Sequence, residues 1–206
     1  VVAKKAQNTR ISYEICNMLL SPEILLAAYL SGAFPMAHPD DNNEIYWHTP
    51  QLRGIIPLDE RFTVSKNLSR LYRSQKFTYT INSEFETVIR KCAALRAEDT
   101  WISEEIIEAY IDLHREGFAH SFETRLNGKL VGGLYGVSIG KAFFGESMFH
   151  TETDASKLAL VFLVEFLREK KFQLLDTQYL NDHIAQFGAY EISHTTYMLL
   201  LKQATI

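Results

Sequence analysis

The pair Asn127-Gly128 constrains the fold of this chain more than any other feature. Asn-Gly between two strand-like runs marks a two-residue type I′ hairpin turn, because both central residues must adopt positive φ. The flanking runs are FAHSFETRL (118–126) and KLVGGLYGV (129–137). A second turn from Ser138 to Lys141 leads into AFFGESMF (142–149), so three antiparallel strands are expected in succession. ASKLALVFLVEFLREKK (155–171), with Asp154 as its N-cap, is apolar on most faces and has to pack against a sheet. LLDTQ (174–178) reads as a buried strand that returns to the same sheet. Meander, long helix and return strand give an α+β chain with a mixed sheet. Gly132-Gly133 weaken the middle strand and mark either a bulge or a close approach of a ligand to the backbone.

Upstream, Ser21-Pro22-Glu23 starts a helix that stops at Gly32. AFPMAHPDDNNEIYWHTP (33–50) is rich in turn formers and reads as a long loop. Its rings, Phe34, Tyr46 and Trp47, either line a binding site or pin the loop to the core. A short apolar piece, RGIIPLD (53–59), closes this region, and no Gly/Ser linker marks a boundary near residue 60. Two capped helices are expected next, one after Ser83 and one after Ser103. NDHIAQFG (181–188) reads as a short helix, AYEI as an extended piece, and Ser193 as the start of a last helix.

At 206 residues the chain holds one large domain, or a small domain packed on a medium one. No apolar run reaches the ~18–20 residues of a membrane span. VVAKKAQNTR lacks the apolar region of a signal peptide, so a cytoplasmic protein without a membrane partner is expected. Cys16 and Cys92 form no CxxC and are expected to be reduced and structural. The formal net charge of −4 argues against a protein that coats nucleic acid. It leaves room for one local patch: Arg61 to Asn82 contains no acid, and Lys66, Arg70 and Arg73 share one helical face, with Lys76 just beyond. A solvated face and a phosphate-binding face both fit this stripe.

Several chemistries lack their motifs. His114, His120, His150, His183 and His194 are scattered, without HExxH or paired cysteines, so no metal site is expected. Ser147 in GESMF does not match G-x-S-x-G, and Ser121 and Ser138 stand in no motif. Neither G-x-G-x-x-G nor a phosphate-binding P-loop occurs. What remains is a polar set in an apolar setting: Glu146 inside a strand, Asp176 and Gln178 two apart at a strand end, then Asn181 and Asp182. On a regular strand Asp176 and Gln178 share a face. Such a set suits proton handling or recognition of a cation. Equally, Asp176 and Gln178 cap a strand end and Asn181 or Asp182 caps the next helix.

WISEEIIEAYIDLHREGFAHSFE, LVGGLYGV, FFGESMF, ASKLAL and LLDTQYLNDHIAQFGA occur in that order, with AYLSGAFPM and WHTP upstream. In these strings the chain resembles the leucyl/phenylalanyl-tRNA–protein transferase family over roughly residues 20–200. The resemblance implies a small N-terminal domain (1–60) packed on a GNAT-like mixed-sheet domain (61–206). It implies transfer of Leu, Phe or Met from aminoacyl-tRNA to acceptor proteins that begin with Arg or Lys, marking them for N-end-rule degradation. No cofactor is implied beyond the aminoacyl-tRNA donor. Where an acetyl-CoA enzyme of this fold carries a Gly-rich loop, this chain reads FHTETDASK.

By the same resemblance Asp176 and Gln178 are a hydrogen-bonded catalytic pair. The pair positions the attacking amine and helps remove its proton, with Asp176 polarising Gln178, which orients or relays; Glu146 and Asn181 orient the aminoacyl-adenosine end or the acceptor. Leu134, Phe143, Leu160, Leu163 and Leu167 match the family's apolar donor pocket. Trp47 and Trp101 are candidates to stack on the terminal adenosine, and Lys66, Arg70, Arg73 and Lys76 to touch tRNA phosphates. The family's Gly-Gly segment before the first helix is replaced here by ICNMLLSPE. A relative that binds tRNA or peptide without catalysis, or an acyltransferase acting on a small amine, is the competing expectation.

Overall fold

A computed structural model of the chain describes residues 20–95 and 100–206. The expectations for residues 1–19, Cys16 included, and for 96–99 lie outside it. The element order is α1 (Pro22–Leu30), β1 (Phe34–His38), β2 (Glu44–His48), β3 (Leu52–Ile55), α2 (Lys66–Arg73), β4 (Phe77–Ile81), α3 (Phe85–Ala94) and α4 (Glu104–Arg115). It continues with β5 (Ala119–Leu126), β6 (Lys129–Ile139), β7 (Ala142–His150), α5 (Ala155–Glu169), β8 (Leu174–Gln178), α6 (Asp182–Ala185), β9 (Tyr190–Ser193) and α7 (His194–Thr205).

Asn127 and Gly128 have φ of 52° and 79°, as a type I′ turn requires, and β5, β6 and β7 form the expected meander. β8 returns parallel to β7. The full sheet has seven strands in the order β4-β5-β6-β7-β8-β3-β9, with every pairing except β7–β8 antiparallel. The mixed α+β class is therefore what the chain adopts. β3 was expected with the small N-terminal unit. It is instead hydrogen-bonded between β8 and β9, inside the large sheet.

Helices cover both faces of the sheet. α5 lies over one face, with α2 against it, and its Leu158, Leu160, Leu163 and Leu167 join Phe122, Leu134 and Phe143 in one core. The other core joins α1, α3, α4 and α7 through Leu25, Val88, Ile106, Tyr110, Tyr197 and Leu201. Burying each such side chain contributes about 1.5–3 kcal/mol. No described helix is long and apolar enough to cross a membrane.

Three local expectations change. The stretch 33–50 is not a long loop: β1 and β2 pair in register from Phe34↔His48 to His38↔Glu44, and the run of turn formers from Pro39 to Asn43 is the short connection between them. Asp154 precedes α5 at φ 65° without bonding a helix N–H; its carboxylate meets Lys157 Nζ at 3.0 Å. α3 starts after Glu84 rather than Ser83, and the buried Glu123 carboxylate accepts from both Ser83 N (2.9 Å) and Glu84 N (3.1 Å). The caps at Ser21, Ser103 and Ser193 form as expected.

Gly132 meets a helix. A Cβ on Gly132 would lie 2.6 Å from Ala155 Cβ and 2.7 Å from the Ala155 carbonyl carbon, so the missing side chain lets α5 approach the sheet. A bulge accompanies it, between Thr124 and Arg125 in the pairing. Gly132→Ala should overpack this contact and lower stability by about 1–3 kcal/mol. The urea-denaturation midpoint checks this, and an unchanged midpoint would refute the contact.

Candidate active site where the parallel strands part

The parallel pairing of β7 with β8 is recorded from Ala142↔Leu174 to Phe144↔Asp176. Beyond it both strands are irregular. On β7, Tyr135 pairs with Ser147 and Gly136 with Gly145, which leaves Glu146 as the extra residue of a bulge. On β8, Gln178 pairs with Gly54 and Asp176 with Ile55, which leaves Thr177 extra, and Gln178 has φ 63°. Bulges re-aim side chains. Here they turn Glu146 and Gln178 toward each other across the opening, and Gln178 Nε2 donates to Glu146 Oε2 at 2.9 Å. β3 passes close beneath this turn: a Cβ on Gly54 would meet Thr177 Oγ1 at 2.8 Å.

Glu146 lies partly accessible among phenols. Tyr29, fully buried in the last turn of α1, donates to Glu146 Oε1 at 2.7 Å. That uses its single proton, so the bond between the Tyr29 and Tyr110 hydroxyls is donated by Tyr110. Tyr135, opposite the bulge, keeps a buried hydroxyl with no hydrogen-bond partner among the described residues. Burial pushes the Glu146 carboxyl up to about 7, and the Asp176 charge adds to this against the bonds from Tyr29 and Gln178. Burial, and next the Glu146 charge, hold the phenols of Tyr29, Tyr110 and Tyr135 well above the ordinary tyrosine range.

Asp176 has the opposite surroundings. It is fully buried and bonded to a buried arginine: Arg53 Nε reaches Oδ1 (2.9 Å) and Oδ2 (3.0 Å), and Nη2 reaches Oδ2 (2.7 Å). Tyr197 Oη donates to Oδ2 (2.8 Å) and the Gln178 backbone N–H to Oδ1 (2.7 Å). Burial opposes the arginine charge, but the Asp176 carboxylate outweighs it and holds the guanidinium above its ordinary pKa. The expected Asp176–Gln178 bond thus exists, but it runs to the Gln178 backbone, while the Gln178 amide serves Glu146.

The other sequence candidates divide. Asn181 caps α6, accepting from Ile184 N at 3.0 Å. Leu134, Phe143, Leu160, Leu163 and Leu167 are all buried and belong to the core that joins the sheet to α5. Trp101 is buried too, 9% exposed, and its carbonyl accepts from Ala37 N. Trp47 on β2 is 38% exposed. Lys66, Arg70, Arg73 and Lys76 are exposed, and none of them enters an ion pair among the described residues. Lys66, Arg70 and Arg73 line one surface groove with Val64, Ser69 and Ser74, and Leu68 anchors the opposite face of α2.

Sequence reasoning missed Tyr29, Arg53, Tyr110 and Tyr197. Arg53 did leave a signal: a lone Arg in the apolar run LRGII requires a buried acid. The tyrosines sit on apolar helix faces and read as ordinary core.

A serine–histidine arrangement elsewhere on the sheet is excluded by its proton positions. His120 Nε2 lies 3.0 Å from Ser138 Oγ, and Nδ1 lies 3.0 Å from Asn82 Nδ2. Asn82 Oδ1 accepts from Ser121 N at 3.0 Å, so the amide presents its N–H to Nδ1. Nε2 therefore carries the proton and donates to Ser138, and it cannot accept the serine proton.

Residues 55–202 match the family described as leucyl/phenylalanyl-tRNA protein transferase, and residues 18–51 match that family's N-terminal domain. The leucyl/phenylalanyl-tRNA–protein transferase of Paramagnetospirillum magneticum is 50% identical over 187 residues, 90% of this chain and 89% of that one. The protein of the same name from Chlorobaculum parvum is 50% identical over 90% of this chain and 96% of its own length. In structure the chain is similar to FemX, with a TM-score of 0.56 at 12% identity, over 74% of this chain and 64% of that one. This last likeness concerns the fold alone and spans less than two thirds of FemX.

Glu146 titrates above the ordinary carboxyl range because the folded state disfavours its charge. Stability should therefore fall as pH rises from the unfolded carboxyl pKa of ~4.3 to about 7, and stay at the lower level above that. Glu146→Gln has no charge to lose. Its Tm relative to the natural protein should be higher at about pH 8 than at about pH 5. A difference that does not vary with pH would mean that Glu146 ionises as an exposed carboxyl does.

Proposed function

Because the chain belongs to the leucyl/phenylalanyl-tRNA protein transferase family, we propose that it transfers Leu, Phe or Met from aminoacyl-tRNA to the N-terminal Arg or Lys of acceptor proteins. The product is marked for N-end-rule degradation, in the cytoplasm, with aminoacyl-tRNA as donor and no further cofactor. The observation that carries the reading beyond the family is Glu146, held by Tyr29 and Gln178 where β7 and β8 part, with burial raising its pKa.

The reaction is aminolysis of an ester. The acceptor's α-amino nitrogen attacks the aminoacyl carbonyl, a C–N bond forms, and the C–O bond to the terminal ribose breaks. The nitrogen must lose a proton, and the ribose oxygen must gain one. A carboxylate poised near neutral pH suits the first transfer, since a general base works best when its pKa lies near the working pH. Gln178 is no base; its amide orients Glu146. Holding amine and ester in contact supplies much of the remaining acceleration. Trp47 offers an exposed ring for the terminal adenosine. The α2 stripe, free of acids, suits the tRNA backbone.

The test uses Leu-, Phe- and Met-charged tRNA with peptides that begin with Arg, Lys or Ala. Transfer to the first two and not to the third is expected. Binding of charged tRNA without transfer to any peptide would overturn the reading. In the same preparation, Arg70→Ala/Arg73→Ala should weaken tRNA binding and reduce the slope of log affinity against log salt by about 1–2. An unchanged slope would remove α2 from the tRNA interface.

A further inference from the structure

Arg53 and Tyr197 belong to none of the motifs, yet both are spent entirely on Asp176 and its surroundings. The Arg53 side chain is 1% exposed, and its guanidinium lies between the rings of Phe34 and Tyr197, 4.6 Å from each centroid. Its remaining nitrogen, Nη1, donates to the Gly32 carbonyl at 3.0 Å, just beyond the helix that carries Tyr29. The planar fork thus joins three points in fixed directions, which a lysine ammonium cannot do. Tyr197 adds one O–H to Asp176 Oδ2.

Counting lone pairs settles what Asp176 can do. A carboxylate offers about four acceptor sites. Oδ1 accepts from Arg53 Nε and Gln178 N, and Oδ2 from Arg53 Nε and Nη2 and from Tyr197 Oη. No site remains for an amine proton, and the group is closed to solvent. What Asp176 does hold is the backbone N–H of Gln178, at the left-handed φ of 63°. A non-glycine residue persists there only when its surroundings fix it. From that backbone the Gln178 amide reaches Glu146 Oε2.

We propose that Arg53 and Tyr197 are positioning residues for aminoacyl transfer. They act through Asp176 to fix the Gln178 backbone, so that the Gln178 amide holds Glu146. Asp176 is then a positioning residue as well, not a proton acceptor. The proposal rests on the transfer reading above.

Tyr197→Phe is the sharpest variant, because it keeps the ring beside the guanidinium and removes one donor. Arg53→Lys keeps the charge and removes the fork. Both should lower the single-turnover transfer rate, Tyr197→Phe by about three- to tenfold and Arg53→Lys by more, with KM for charged tRNA unchanged. The readout that a merely structural role would not move is the Glu146 titration, followed by the carbon-13 signal of the labelled carboxyl without substrates. The Gln178 bond favours ionised Glu146, so a misplaced Gln178 should move that titration to higher pH. In a Gln178→Ala background, Tyr197→Phe should add no further shift. A lower Tm with rate and titration both unchanged would overturn the proposal, as would an equal shift with and without Gln178. Should the natural protein transfer nothing, the transfer reading fails, while the carboxyl titration still decides whether Arg53 and Tyr197 position Gln178.

Discussion

A guanidinium and a carboxylate, both out of contact with water, meet where β3, β8 and α7 converge. Removing two charges from water costs several kcal/mol each, and their attraction offsets that only when the geometry is good and the remaining polar sites are bonded. Both conditions hold for Arg53 and Asp176. Three bonds link the pair, and the surplus donors and acceptors end on Gly32, Tyr197 and Gln178. The pair therefore ties the end of α1, the last helix and two neighbouring strands to one point. Breaking it on one side would leave a bare buried charge, at a cost of about 3–5 kcal/mol.

Two carboxyls on neighbouring strands consequently do different work. Asp176 is compensated by a full positive charge and is used up in bonds. Glu146 has phenols and an amide for partners, none of them charged, and so carries a proton affinity near neutrality. The bulge at Glu146 and the left-handed backbone at Gln178 are the local irregularities through which the sheet delivers this arrangement.

The sequence showed much of the scaffold because its signals are local. Asn127-Gly128 dictates its turn, Ser21, Ser103 and Ser193 cap their helices, and the apolar run of α5 requires a sheet to cover. Glu146 and Gln178 were visible as polar interruptions of apolar strands. The rest depends on contacts distant in sequence. β1 and β2 were hidden by the turn formers from Pro39 to Asn43, which prove to be the connection between them, and by Pro35, which sits within β1. That Trp101 and the leucines at 134, 160, 163 and 167 are buried was not legible either, because an apolar side chain carries no mark of what fills the space beside it. Tyr29 and Tyr110 lie 81 residues apart and meet only through the packing of α1 on α4.

The most direct measurement is the pH dependence of single-turnover transfer, compared between the natural protein and Glu146→Gln. Proton removal by Glu146 adds one ionisation of about 7 to that of the acceptor's α-amine, near ~7.7–8.0. Below both, log rate should rise with a slope approaching ~2 in the natural protein, and in Glu146→Gln with a slope approaching ~1, at a rate lower by about 10²–10⁴. A Glu146→Gln protein that transfers at nearly the natural rate with the same profile would contradict the assignment of Glu146 as the proton acceptor.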